Sequence, residues 1–249
     1  MTANEGEQQG DTVEASLAAL YSGVLAEAKP PRFSISPPPD ALPAVDLFIP
    51  GTLEEVLARF GDRYTAGDIR GVASQWSKWY FTAILVPALI AILVLRRELP
   101  LALDRLYVLM SLDDRVDRLY LQDTGRPLSQ GSDEKVFSRL LDDHLRPIVD
   151  TLAGVSGASP RVFWSNAGNT FEQCLNQIEQ HPTAWPDMTD DARHFLTQPR
   201  LKDERRNPFY LPVRYRERPD GSTKRVRRLC CIRYLVPELS YCGNCPLKK

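Results

Sequence analysis

Cys230, Cys231, Cys242 and Cys245 fall within the last twenty residues in the order C-C, ten residues, C-x2-C, which leaves only Cys174 elsewhere. Thiolates are costly to gather unless a cation neutralises them, so the clustering points to a soft-metal or iron–sulfur site. A C-x2-C arc such as Cys242-Gly243-Asn244-Cys245 can place both sulfurs on one ion. Its glycine and asparagine tolerate the positive φ that would turn backbone N–H groups toward sulfur. The adjacent pair is less usual. Neighbouring side chains of a regular strand point to opposite faces, so Cys230 and Cys231 need a local bend if both are ligands. Structural zinc sites use spaced pairs, whereas a two-iron cluster offers two centres and relaxes the demand for one tetrahedron. On spacing alone, three readings stay open: an iron–sulfur cluster, a zinc ion, or redox thiols.

The rest of the chain narrows the setting. Its 249 residues can bury a substantial core, and apolar and charged fractions of 43% and 25% are ordinary for a globular protein. A formal net charge of −1 supplies no global field for nucleic acid or anionic lipid. The start, MTANEGEQQGDTVEA, lacks the basic and apolar regions of a signal peptide. A reducing cytoplasm is therefore expected, where such thiols serve as metal ligands sooner than as disulfides. No G-x-G-x-x-G or Walker-type loop is present, so electrons must come from a separate donor. His144, His181 and His194 are scattered, and Asp113-Asp114, Asp142-Asp143 and Asp190-Asp191 read as turn or helix-surface acids. Cys174 reads as a buried structural thiol.

The elements that must position the cysteines can be read in outline. A helix is expected over 13–28 after a flexible start, and the proline-rich stretch 30–43 should carry no regular element. Thr52-Leu53-Glu54-Glu55 matches a capping box and predicts a helix from there to about Gly61. Phe81 to Leu95 has no charge, but fifteen residues with Pro87 inside fall short of a membrane span, so a buried core helix is expected. The runs 105–112 and 115–122 around Asp113-Asp114 predict a β-hairpin. Ser132 should cap a helix over 133–153, buried through Phe137, Leu141, Leu145, Ile148 and Leu152. Ser159-Pro160 opens another, lined on one face by Phe163, Ala167, Phe171, Cys174 and Ile178. Pro219-Asp220-Gly221 predicts a second hairpin whose outgoing strand delivers Cys230 and Cys231.

The expected class is α+β, mostly helical, with an antiparallel sheet formed by two hairpins (about 104–122 and 208–231) and the cluster at its exposed C-terminal edge. The expected division is a flexible, proline-rich segment 1–45, a mainly helical body 46–205, and a hairpin with the cluster-binding region 206–249.

The tail RRLCCIRYLVPELSYCGNCPLKK (227–249) resembles the C-terminal signature of the FhuF-like ferric siderophore reductases, in which the same C-C-x10-C-x2-C array binds a [2Fe–2S] cluster. The likeness includes the basic pair before the cysteines, Arg233-Tyr234, Pro237 and the C-G-x-C-P ending. Val162-Phe163-Trp164-Ser165-Asn166 resembles the F-W-x-N segment of the same family, while the first 60 residues carry little resemblance. The resemblance implies Cys230, Cys231, Cys242 and Cys245 as iron ligands, without saying which pair holds which iron. It also implies one-electron reduction of a ferric siderophore, expected to be of hydroxamate type, with Fe(II) released in the cytoplasm. The donor would be a separate reductase, ferredoxin or flavodoxin type protein. Contact with the inner face of the plasma membrane would be peripheral at most.

No catalytic side chain beyond the cluster is expected. Arg228, Arg233 and Tyr234 are candidates for orienting the site, and Trp164 and Asn166 for lining the substrate approach. Lys224, Arg225, Arg227, Arg228, Arg233, Lys248 and Lys249 could dock an acidic donor, or simply be a solvated strand and tail. The competing functions are a zinc-stabilised binding module, or a [2Fe–2S] carrier or sensor that does not act on siderophores.

Overall fold

The computed structural model describes residues 3–22, 25, 28–129, 131 and 133–248, with side chains from residue 12 onward. Helix α1 (Ala3–Leu20) starts earlier and ends sooner than expected, and its Val13, Leu17 and Leu20 are buried in the main core. Part of the stretch predicted to continue it, residues 23, 24, 26 and 27, lies outside the described residues. The proline-rich stretch holds two short strands, β1 (Arg32–Phe33) and β2 (Leu42–Pro43), before the single turn α2 (Ala44–Leu47).

Helix α3 (Pro50–Gly61) ends as predicted but begins two residues earlier than the capping box implied. Its N-cap is Ile49, which makes no side-chain cap bond, and Pro50 occupies the first turn, where its missing N–H costs nothing. Helix α4 (Ile69–Leu93) follows, capped by the Asp68 carboxylate accepting from the Arg70 N–H. Only Arg70 and Lys78 are charged along it. It is long and apolar enough to cross a membrane, yet 78% of its most apolar window is buried inside the protein.

Strand β3 (Arg97–Glu98) is followed by a 3-10 turn (Leu103–Arg105) and the hairpin β4 (Leu106–Met110) and β5 (Val116–Leu121). The hairpin has Tyr107 opposite Tyr120 and Asp114 in its turn at φ 55°. The sheet order is β1-β5-β4-β2, with β1 parallel to β5. Strand β6 (Arg126–Pro127) pairs with β3. Ser132, the predicted cap, lies outside the described residues.

Helix α5 (Asp133–Arg139) widens into a π-helical turn (Leu140–Leu145) and continues as α6 (Arg146–Ser156). Pro147 explains the widening, because its ring would clash with the carbonyl four residues back in a regular α-helix. Gly157 ends α6 at φ 70°, the left-handed cap that glycine adopts freely. Helix α7 (Pro160–Glu179), capped by Ser159, packs along α4, and its Phe163, Ala167, Phe171, Cys174 and Ile178 are all buried in the core.

Helix α8 (Asp190–Thr197) leads to the second hairpin, β7 (Val213–Glu217) and β8 (Thr223–Arg227). The α+β class and both hairpins are as expected, but the hairpins belong to separate sheets. Residues from the first 45 and from the tail, Leu17 and Val236 among them, share one buried core with the helical body.

Candidate metal centre

Strand β8 ends at Arg227, so Cys230 and Cys231 lie beyond it and escape the alternation that would separate them. The bend comes from Ile232 at φ 50°, an uncommon conformation for a β-branched residue, followed by a 3-10 turn (Arg233–Leu235). It turns backbone donors inward: the Ile232 N–H donates to Cys230 Sγ (3.3 Å) and the Arg233 N–H to Cys231. The positive φ is thus at Ile232, not at Gly243 or Asn244 as expected. The arc 242–245 closes by a Cys245 N–H bond to the Cys242 carbonyl (3.1 Å) and docks on the strand end through Arg227 N–H to Asn244 O (2.8 Å).

The four sulfurs form two couples. Cys230 and Cys245 Sγ are 4.0 Å apart, and Cys231 and Cys242 Sγ 3.8 Å. Two sulfurs on one tetrahedral ion with bonds near 2.3 Å stand about 3.8 Å apart, so each couple fits one metal. Cys231 and Cys245 are buried, each 1% exposed, so half the site faces inward and not to an open sheet edge.

Two helices hold it there. On α4, Gly71, Ser74 and Lys78 share a face at helical spacing. A Cβ at position 71 would lie 3.0 Å from Leu235 Cβ and 3.3 Å from the Val236 nitrogen, so glycine permits the tail to approach. Ser74 Oγ donates to the Cys231 carbonyl (2.5 Å), and Lys78 Nζ reaches Cys231 Sγ at 3.2 Å. On α7, Ser165, Asn166, Asn169 and Glu172 form a polar face opposite the apolar one. Ser165 Oγ donates to Leu229 O (3.3 Å), and Asn169 Oδ1 accepts from Asn244 (2.8 Å). Glu172 is buried and pairs with Arg225. Asn166 is fully buried: its Nδ2 lies 3.0 Å from Ser74 O, Ser74 Oγ and Ser77 Oγ, while its Oδ1 accepts from the Arg227 guanidinium. It does not line a substrate approach.

The electrostatics are unbalanced in a way that fits an anionic metal group. Arg227 is buried, its partners are the Asn166 and Ser165 oxygens, and its Nε has no partner. Lys78 is half-buried, bonded to Gln75 and to Cys231. Burial lowers the pKa of both cations, and the Cys231 sulfur works against that shift in each. A buried charge without a counter-charge costs several kcal/mol, and here the thiolates are the counter-charge available. Within the Cys231–Cys242 couple the negative charge is drawn to Cys231, first by the hydrogen bond shared with Cys242 and then by Lys78 and Arg227.

Residues 74–223 match the family model described as ferric iron reductase FhuF-like transporter. The chain belongs to this FhuF-like family. Residues 227–247 match the FhuF 2Fe-2S C-terminal domain, so the cofactor is a [2Fe–2S] cluster and the zinc reading falls. The ferric siderophore reductase of Escherichia coli (strain K12) is 24% identical over 207 residues, covering 80% of this chain and 76% of that protein. As a FhuF-like protein the chain is an oxidoreductase acting on ferric iron.

The other expected residues are dispersed around the centre. The Arg233 side-chain Nε is buried without a partner, while Tyr234 is 40% exposed and its ring lies 5.4 Å from that of Tyr241. Arg228 and Trp164 line a groove that reaches Leu229, the residue before Cys230. Arg225 is a structural ion-pair residue, and Lys249 lies outside the described residues. Burial pushes the Cys174 thiol up to about 12, as befits an inert core residue. Lys78 was not anticipated, although a lysine between Trp76 and Trp79 in an apolar helix was a legible signal.

Proposed function

We propose that the chain reduces iron(III) siderophores of hard oxygen donors, hydroxamates among them, by one electron and releases Fe(II) in the cytoplasm. Cys230 and Cys245 would hold one iron of the cluster, Cys231 and Cys242 the other. The observation that carries this is the two-couple sulfur geometry beside Lys78 and Arg227, cations that no carboxylate answers among the described residues, joined to the similarity with the Escherichia coli reductase. When bound, a [2Fe–2S] cluster supplies a one-electron carrier whose potential follows charge, hydrogen bonds to sulfur and exposure.

The residues of this chain set those three variables. Lys78 and Arg227 offset thiolate charge on the Cys231–Cys242 couple, which would favour acceptance of an electron. The Ile232 and Arg233 N–H groups stabilise the sulfurs they face. Cys230 and Cys242 are half-exposed, giving the outer side a path to a docked chelate. One electron arrives from a ferredoxin, flavodoxin or reductase type protein and passes to the chelated iron. Fe(III) becomes Fe(II), no bond to the protein forms, and the softer ion leaves its hard donors. Membrane contact, if the protein makes any, would be peripheral at the cytoplasmic face.

The test is anaerobic. Reduced protein mixed with a ferric siderophore should reoxidise in a single turnover, one Fe(II) appearing per electron in a ferrous trap. If no ferric siderophore reoxidises it while ferricyanide does, the protein is a carrier or sensor instead.

A further inference from the structure

An open groove of about 260 Å³ reaches Leu229, the residue before Cys230, and its lining includes Arg161, Trp164, Arg206, Tyr210 and Arg228. Three guanidinium groups border it and no carboxylate does. This is not the composition of the chain, which has 32 acidic and 31 basic residues. Arginines elsewhere on the surface are mostly answered by acids, as Arg70 is by Asp68, Arg139 by Glu98 and Arg205 by Asp142. Among the described residues Arg161, Arg206 and Arg228 have no such partner.

The walls are built. Arg228 donates to Tyr210 O (3.1 Å) with its guanidinium 5.4 Å from the Tyr210 ring centre, and Trp164 packs edge-on against buried Phe209 (6.1 Å). Ser165 ties the groove to the cluster loop through Leu229, the residue before Cys230.

We propose that this groove seats the ferric chelate and selects for chelates of net negative charge. The proposal rests on the reductase reading above and narrows its substrate class. Iron(III) held by three hydroxamates is neutral, and three cationic side chains gain little from it. Catecholate or hydroxycarboxylate donors carry more negative charge than the ion they surround, and the complex is an anion. Bidentate guanidinium contacts suit those oxygens, and the Trp164 and Tyr210 rings, over which Arg146 and Arg228 lie at 5.7 and 5.4 Å, add aromatic walls for an organic shell. A concave site with aromatic walls favours a small chelate over an acidic donor protein as occupant.

Gallium(III) chelates test binding apart from electron transfer, because gallium takes no electron under these conditions. Tryptophan quenching or calorimetry on the oxidised holoprotein would compare an anionic gallium tris-catecholate with a neutral gallium tris-hydroxamate. The anion should bind at least about tenfold tighter, less so at high salt. The double variant Arg161→Gln/Arg206→Gln should lose about tenfold for the anion and nothing for the neutral chelate. Both side chains are exposed, so folding is spared, and an unchanged cluster spectrum confirms it. The single variants serve as independent checks.

Equal affinity for both charges, unaffected by the variants, overturns the groove. So does a variant that slows reduction by the donor while gallium binding is unchanged, which would make this the donor's surface. Failure of every ferric chelate to reoxidise the reduced protein overturns the reductase reading instead, and the gallium measurement keeps the two failures apart.

Discussion

Lys78 Nζ sits 3.2 Å from Cys231 Sγ across a sequence separation of 153 residues, joining the middle of the longest helix to the cluster loop. Arg227 acts on the same sulfur, so the Cys231–Cys242 couple has two cations beside it, while Lys78 contacts neither Cys230 nor Cys245. The site is electrically lopsided, and a bound cluster would better accommodate an added electron on the Cys231–Cys242 side.

Lys78→Met should therefore lower the cluster's reduction potential, on the order of 50 mV, which is roughly tenfold in the one-electron equilibrium. Lys78→Arg should restore most of it. An EPR-monitored redox titration decides the matter, and an unchanged potential in Lys78→Met would reduce the contact to packing.

Asn166→Ala removes the partner of the Arg227 guanidinium and of Ser74 and Ser77 at once. Leaving the buried Arg227 guanidinium with Ser165 as its one side-chain partner among the described residues, and the Ser74 and Ser77 oxygens without the amide donor, should cost about 2–4 kcal/mol. Urea unfolding gives the stability, and iron per chain should fall with it.

Gly71→Ala pushes a methyl against Leu235 and the Val236 backbone. The overpacking should cost about 1–2 kcal/mol and lift the 3-10 turn from the helix. The expected readout is faster loss of cluster absorbance to an iron chelator, with the helical content by circular dichroism unchanged.

His144 accounts for part of the acid sensitivity. It is buried between Tyr80 OH and the Leu101 carbonyl, and burial lowers its pKa to about 4. The unfolded chain takes up this proton near pH 6.5 and the folded chain only near 4, so stability is full above pH 6.5 and declines toward pH 4. The decline from this residue is roughly 3 kcal/mol. His144→Gln should flatten the difference in unfolding free energy between pH 4.5 and 7.5, and a slope equal to that of the unaltered protein would acquit the histidine.

Local features were legible in the sequence because their causes are local. The C-x2-C arc, the Asp-Gly turn, the Ser159 cap and the apolar face of α7 each follow from spacing within one element. The start of α3 was misjudged because a proline in the first turn offers a rival cap to a Thr-x-x-Glu pattern. Asn166 was expected to line the substrate approach, since nothing nearby in sequence announces that Ser74, Ser77 and Arg227 will converge on it. Lys78 belonged to an apolar helix until folding brought Cys231 to it. The separate sheets were hidden for the same reason, since pairing of β1 with β5 is a tertiary event.

The short stretch that carries all four cysteines is not portable. Lys78, Ser74 and Asn166, which answer its charges and carbonyls, come from two helices far upstream. Grafted alone onto another scaffold, residues 227–247 would keep the ligands and lose their surroundings. For an engineer the smallest transferable unit is the helical pair α4 and α7 together with the tail, three pieces spread from residue 69 to residue 247.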